Sequence, residues 1–230
     1  MRRGSSRRGL GARGEVRILD LFCGAGGAGM GYSRVGLDVV GVDIAPQPNY
    51  PFEFHQGDAL DFVAEHWRDY DAVHASPPCQ GYTALAAVHG NTHPMLIPEV
   101  RRLLTATGLP WVIENVAGAP LRKDLRLCGE MFGLSVIRHR FFEASFPVTQ
   151  PHHRPHRGRV AGMRHGEWFT GPYFAVYGEG GGKGTVAQWQ QAMGITWTSV
   201  RREIAEAIPP AYSQHIGTQL LTHLQMERAS

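Results

Sequence analysis

Cys79 is the residue in this 230-residue chain best placed to act as a nucleophile, because it follows a diproline in Ser76-Pro77-Pro78-Cys79-Gln80 at the end of the apolar run Tyr70 to Ala75. Each proline fixes its own φ and biases the residue before it toward extended backbone, so the thiol is aimed rather than floppy. A second chemical feature lies near the start. Val16 to Phe22 is mostly apolar and ends in Cys23-Gly24-Ala25-Gly26-Gly27-Ala28-Gly29, followed by the helix-compatible Met30 to Val35. Strand, glycine turn and helix open a nucleotide-binding α/β unit, in which glycines let a ligand approach the backbone at a helix N-terminus. Asp43 stands 23 residues after Asp20, where an acid can accept hydrogen bonds from a ribose diol.

These groups need a sheet to hold them. Further short apolar runs at Leu37 to Asp43, Phe54 to Leu60, Tyr70 to Ala75 and Leu109 to Ile113 read as strands, with helices predicted at 61–67 and 95–107, the latter ended by Gly108. If the strands are parallel, Asp20, Asp43, Asp58 and Cys79 converge at their carboxyl edge, where open α/β sheets bind ligands. Gly81 to Pro94 reads as a mobile loop over that edge. From Ala144 to about Gly184 periodicity fades into Pro, His, Arg and Gly, with interleaved aromatic residues. Helical character returns at 186–193, 199–207 and 213–226.

Composition sets the bounds. With 43% hydrophobic and 19% charged residues, 29 glycines and 15 prolines, the chain suits one loop-rich α/β domain. Residues 1–14 carry five arginines and no acid and are expected to form a disordered basic arm, leaving 18 basic against 20 acidic residues in the remainder. A second basic block comprises Arg138, Arg140, Arg154, Arg157, Arg159 and Arg164, opposed mainly by Glu143, and suggests a phosphate-facing surface. Three cysteines without a CxxC pair indicate neither a disulfide framework nor a cysteine zinc site, and fit a reducing cytoplasm. Cys23 and Cys128 read as small buried hydrophobes. His152, His153 and His156 invite a metal, but their proline-arginine setting and lack of cysteine partners favour a phosphate-contacting loop, so no metal site is expected. No apolar stretch is long enough to span a membrane, and the arginine-rich start lacks the apolar core of a secretion signal.

In sequence order, Asp20-Leu21-Phe22-Cys23-Gly24-Ala25-Gly26-Gly27, Asp43, Gly57-Asp58, Pro77-Pro78-Cys79-Gln80, Glu114-Asn115-Val116, Arg138-His139-Arg140-Phe141-Phe142 and Ala207-Ile208-Pro209-Pro210 resemble the DNA cytosine-C5 methyltransferase family. The resemblance implies a Rossmann-like S-adenosylmethionine-dependent methyltransferase fold: an α/β architecture with a mostly parallel sheet, helices on both faces and a small irregular recognition region. The implied division is a catalytic and cofactor-binding core at 15–143, a target-recognition region at 144–185 and a segment at 186–230 that returns to the core. Cys79 would add to C6 of cytosine, Glu114 would hold the N3 and 4-amino edge, and Arg140, with Arg138 nearby, would bind O2. Asp20, Phe22, Gly24 and Gly26 would cradle S-adenosylmethionine. Asp43 would bind its ribose and Asp58 its adenine amino group, with Ile44, Ala59 and Pro77 lining the same pocket. The partner would be double-stranded DNA whose target base is flipped out of the stack, and the protein a cytoplasmic monomer with room for a specificity partner.

Three departures from the family pattern stand out. The variable region is short for a target-recognition domain, Val136-Ile137 precede Arg138 in place of a glutamine-rich start, and Ala207 replaces a common asparagine. Other readings stay open: a transfer-RNA cytosine-C5 methyltransferase of the same family, a catalytically inactive DNA-binding relative, and an exocyclic amino-group methyltransferase, against which Cys79 stands because those enzymes carry an aromatic residue there.

Overall fold

The computed structural model describes residues 15–82, 95–178 and 182–229; the expected basic arm at 1–14 and residues 83–94 of the expected loop lie outside the described residues. Five parallel strands, β1 (Arg17–Leu21), β2 (Asp38–Asp43), β3 (Glu53–Gln56), β4 (Ala72–Ala75) and β5 (Trp111–Asn115), are joined by β6 (Leu125–Leu127) and β7 (Arg140–Ala144). The sheet order is β3-β2-β1-β4-β5-β7-β6, with β7 antiparallel to both neighbours. Chain order therefore reverses between β1 and β4, the place where open α/β sheets bind ligands.

The near-continuous apolar runs are what a sheet covered on both faces requires. Ile18, Val39, Ala72 and Val112 point to a layer containing α1 (Gly27–Ser33) and α6 (Pro210–Ala229). Leu19, Leu21, Val40, Val42, Val73 and Ile113 point to the opposite layer, with α2 (Ala59–His66) and α3 (Ile97–Thr107). The helices on both faces and the mostly parallel sheet agree with the expected fold class.

Helix α1 begins earlier than the sequence pattern indicates because its glycines are contact surfaces. A Cβ on Gly31 would lie 2.1 Å from the Pro210 carbonyl and from Ser213 Oγ. Ser213 donates to the Ala28 carbonyl at 2.7 Å, which fastens α6 onto α1. Pro210 opens α6, a position where the missing N–H costs no helical hydrogen bond.

At the far side of the sheet, buried Glu143 on β7 accepts from Arg101 at 2.7 Å and from Arg122 at 2.9 Å. It thereby anchors α3 and the segment after β5, and these arginines are not members of the 138–164 basic block. Burial alone would raise the Glu143 pKa, but the Arg101 and Arg122 partners outweigh it and hold it below the usual value. Residues 144–185, expected to be irregular, contain a second small sheet of β8 (Val160–Arg164), β9 (Glu167–Phe169) and β10 (Tyr173–Phe174). Two to five residues per strand are too few to leave a period in the sequence. The chain after this sheet packs Trp189 and Met193 of α4 (Val186–Met193) and Ile204 of α5 (Arg201–Glu206) against Val136 and Val176. No helix among the described residues is long and apolar enough to cross a membrane.

The α1–α6 contact makes a direct prediction. Gly31→Ala inserts a methyl group against backbone that cannot yield, and should lower stability by about 1–3 kcal/mol in urea unfolding. Gly57→Ala meets open space and should stay within about 0.5 kcal/mol of wild type. Equal midpoints for the two variants would contradict the packing.

Candidate active site

The thiol and its neighbours meet because of strand register. Ala75 on β4 pairs with Ile113 on β5, so Ser76 and Glu114 come next at the carboxyl edge, with Cys79 three residues beyond Ser76. Asn115 Nδ2 donates to the Pro77 carbonyl at 2.8 Å and its Oδ1 accepts from Val116 N at 2.9 Å. That amide ties the diproline segment to β5. Tyr82 N donates to the Cys79 carbonyl at 2.9 Å and closes the turn behind the thiol.

Antiparallel β7 completes the group. Because β7 runs opposite to β5, its first residue, Arg140, starts at the edge where β5 ends. Arg140 Nε lies 3.0 Å from Glu114 Oε1, close enough for an ion pair but not aligned for a hydrogen bond. Arg140 Nη1 donates to the His139 carbonyl at 2.9 Å. Burial pushes the Glu114 pKa above the usual carboxylate value, against the pull of Arg140 and a hydrogen bond with Ser76. Cys79 is half-buried, and burial likewise raises its pKa, with Arg140 opposing. A carboxyl that readily holds a proton therefore sits beside a thiol.

Arg138, expected beside Arg140 in catalysis, is placed differently. Its guanidinium donates to the carbonyls of Val176 at 2.9 Å and Ala205 at 2.6 Å, and Tyr212 donates to the Arg138 carbonyl at 2.6 Å. It thus clamps the segment after the small sheet, α5 and α6 together. Burial and the neighbouring Arg140 push its pKa down to about 9. Its Nε has no partner, and it lies close enough to favour the ionised forms of Cys79 and Glu114.

At the β1–β2 end, Asp43 Oδ2 accepts from Gly24 N and Oδ1 from Ala45 N, each at 3.0 Å. Phe22 and Gly24 turn the chain with φ of 57° and 48°, and nothing lies within 4 Å of where a Gly24 Cβ would stand. Next to Asp43, Ile44 is 73% exposed. An oriented carboxylate, an open glycine shelf and an uncovered apolar side chain fit the ribose, backbone approach and ring of S-adenosylmethionine. Asp58 caps α2, its Oδ1 accepting from Leu60 N at 2.8 Å and Asp61 N at 3.1 Å. These bonds leave its other oxygen for a ligand.

The remaining expected cofactor residues act from behind. Asp20 is fully buried beneath the turn and receives Tyr50 OH at 3.2 Å. It supports the turn instead of facing a ligand. A Cβ on Gly26 would meet Pro51 at 2.9 Å, and one on Gly27 would meet the Ile208 carbonyl at 2.4 Å, so these glycines serve close packing and the return of the Ile208-Pro209-Pro210 segment. Ala59 is buried in the α2 layer, and buried Pro77 contributes its carbonyl to Asn115.

Several supports leave little trace in the sequence. Tyr32 OH and His74 Nδ1 are 2.9 Å apart, and His74 Nε2 lies 3.0 Å from Ser76 Oγ, so a buried chain of polar groups runs from α1 toward Glu114. Burial pushes the His74 pKa down to about 3, which keeps the ring neutral. The polar His74 within the apolar strand run was its only signal. Trp197 Nε1 donates to the Ala25 carbonyl at 2.7 Å, a contact across 172 positions that no local pattern announces. The structure also gives the histidines the cysteine partner that spacing did not show: Cys128, His139, His153 and His156 stand together. A cleft of about 740 Å³ runs between residues 136–140 and the small sheet, lined by Arg138, Arg140, Arg164 and Lys183 among others.

No protein-family model matches the chain. The type II methyltransferase M.XorII of Xanthomonas oryzae pv. oryzae is 30% identical over a 131-residue alignment covering 49% of this chain and 31% of the relative. The chain thus matches about a third of that protein's length. The methyltransferase EhMeth of Entamoeba histolytica superposes with a TM-score of 0.62 at 12% identity, covering 92% of this chain and 99% of that one. The Dnmt2 methyltransferase of S. pombe gives 0.63 at 15% identity, covering 91% and 99%. At these identities the likeness shows the fold: a Rossmann-like methyltransferase fold.

Burial of Asp20 has a measurable effect. Its pKa is pushed up to about 8 by burial, against the hydrogen bond from Tyr50. Between about pH 4 and that value the folded chain keeps a proton that the unfolded chain has lost, so this group's contribution to stability falls as pH rises. Asp20→Asn should remove that loss, gaining stability relative to wild type more at pH 8 than at pH 5 in urea unfolding. The same difference at both pH values would contradict the assignment.

Proposed function

We propose that the protein is an S-adenosylmethionine-dependent DNA cytosine-C5 methyltransferase. The observation that carries this reading is the meeting of Cys79, Glu114 and Arg140 at one sheet edge, next to the glycine turn and Asp43. Phe22, Gly24, Asp43, Ile44 and Asp58 would hold S-adenosylmethionine, which would supply an electrophilic methyl group. The residues of the chain must make C5 of cytosine a nucleophile, which it is not in the aromatic ring.

Cys79 Sγ forms a bond to C6, and the C5=C6 electron pair moves to C5. Glu114, which burial inclines to hold a proton, donates it toward N3 and so neutralises the charge that addition pushes into the ring. Arg140 turns its guanidinium to O2, where the remaining charge collects. Once C5 carries the methyl group, loss of the C5 proton to a base or water re-forms C5=C6 and expels Cys79 as the thiolate, and N3 returns its proton to Glu114. Asn115 and the Ser76–His74–Tyr32 chain hold the thiol and the carboxyl in register. Arg138 acts as a positioning residue.

DNA is favoured by the cleft beside Arg140, whose Arg164 and Lys183 offer phosphate contacts. The partial match to a type II methyltransferase supports methyl transfer. The small sheet supplies the candidate recognition surface. Its size favours a short recognition sequence.

DNA containing 5-fluorocytosine traps the reaction, because fluorine cannot leave C5 as a proton does. With S-adenosylmethionine, wild type should form a denaturation-resistant adduct and Cys79→Ser none. Absence of the adduct on every cytosine-bearing duplex would overturn the mechanism. Addition needs a thiolate, which becomes scarcer as pH falls, and a protonated Glu114, which becomes scarcer as pH rises. Between their two pKa values these dependences cancel, so the wild-type adduct rate should be flat with pH. In Glu114→Gln the rate should be lower and rise about tenfold per pH unit through neutrality. Parallel profiles for the two proteins would contradict the acid role of Glu114.

A further inference from the structure

Four side chains from three separate stretches converge beside the start of β7. Cys128 follows β6, His139 immediately precedes β7, and His153 and His156 lie on the segment leading to the small sheet. One ligand-capable atom from each lies within 4.8 Å of all the others. His139 Nε2 and His156 Nε2 are 3.3 Å apart, and Cys128 Sγ is 3.8 Å from His156 Nε2. A tetrahedral zinc ion with bonds of about 2.0 Å to nitrogen and about 2.3 Å to sulfur separates its ligand atoms by about 3.3 Å for N···N and about 3.5 Å for N···S. The His139–His156 and Cys128–His156 separations are already near those lengths, and the remaining ones stay within 4.8 Å.

Its surroundings are those of a ligand shell. Glu130 Oε2 bonds His156 Nδ1, which fixes the Nδ1–H tautomer and turns the Nε2 lone pair into the cluster. Tyr173 OH steadies the other Glu130 oxygen at 2.6 Å. A carboxylate behind a ligating histidine is the usual outer support of a bound metal. His153 Nε2 is buried without a hydrogen-bond partner, a cost that a metal bond removes.

We propose that Cys128, His139, His153 and His156 form a structural zinc site. One thiolate and three imidazoles suit Zn²⁺, and four protein ligands leave no open position for a reacting water. The ion staples the segment entering the small sheet onto the start of β7. Since His139 lies between Arg138 and Arg140, it also fixes the backbone that aims Arg140.

The test is metal content and spectroscopy of the full chain. Protein expressed with zinc and purified without chelator should carry close to one zinc per chain. After chelator stripping, titration with Co²⁺ alone should give the intense visible bands of tetrahedral cobalt and a near-ultraviolet sulfur-to-cobalt band. Cys128→Ser should lose the sulfur band, whereas Cys23→Ser should keep it. His153→Ala, altered on a surface segment, should hold cobalt at least tenfold more weakly, so the question stays answerable if Cys128→Ser fails to fold. Absence of zinc together with only the weak spectrum of hydrated cobalt would overturn the proposal. So would a sulfur band that survives Cys128→Ser, or cobalt affinity unchanged in His153→Ala.

Discussion

A carboxyl buried at the end of β5 and a guanidinium at the start of β7, 3.0 Å apart, set the terms for everything around them. Removing Glu114 from water disfavours its charge, and Arg140 offsets part of that penalty without forming an aligned hydrogen bond. The resulting carboxyl can hold or release a proton at modest cost, and the guanidinium is not locked to it. An antiparallel last strand is what makes the pairing possible. Were β7 parallel to β5, its first residues would lie at the opposite edge of the sheet, far from Cys79.

The other layers maintain this arrangement. The α1–α6 contact, too close for any side chain on Gly31, returns the Ile208-Pro209-Pro210 segment to the glycine turn. Arg138 joins the segment that follows the small sheet to α5 through backbone carbonyls, so that segment and the sheet edge carrying Cys79 share one buried anchor. Glu143 performs the equivalent task on the outer strands with Arg101 and Arg122. A zinc ion beside His139 would add a further staple where the chain leaves the main sheet.

Much of the main sheet could be read in advance because strands buried on both faces are written as apolar runs, as in Arg17–Leu21 and Asp38–Asp43. The thiol, Glu114 and Arg140 were readable as motifs in order, and the structure brings them together. Three kinds of feature were not readable. The small sheet has strands too short for periodicity. Asp20 and Arg138 carry residue types expected at a ligand, but burial turns them to supporting the glycine turn and clamping backbone carbonyls. The Cys128–histidine cluster joins residues on either side of β7, so a search for closely spaced cysteines passes over it. His74, Tyr32 and Trp197 likewise act through contacts that only the folded chain creates.

Product analysis on nucleic acid tests the account most directly. Wild-type protein incubated with methyl-labelled S-adenosylmethionine and either duplex DNA or transfer RNA, followed by digestion to nucleosides and mass spectrometry, should place the label in 5-methyldeoxycytidine from the DNA. Label on the exocyclic amino group, label confined to transfer RNA, or no label from protein that binds the cofactor would contradict it.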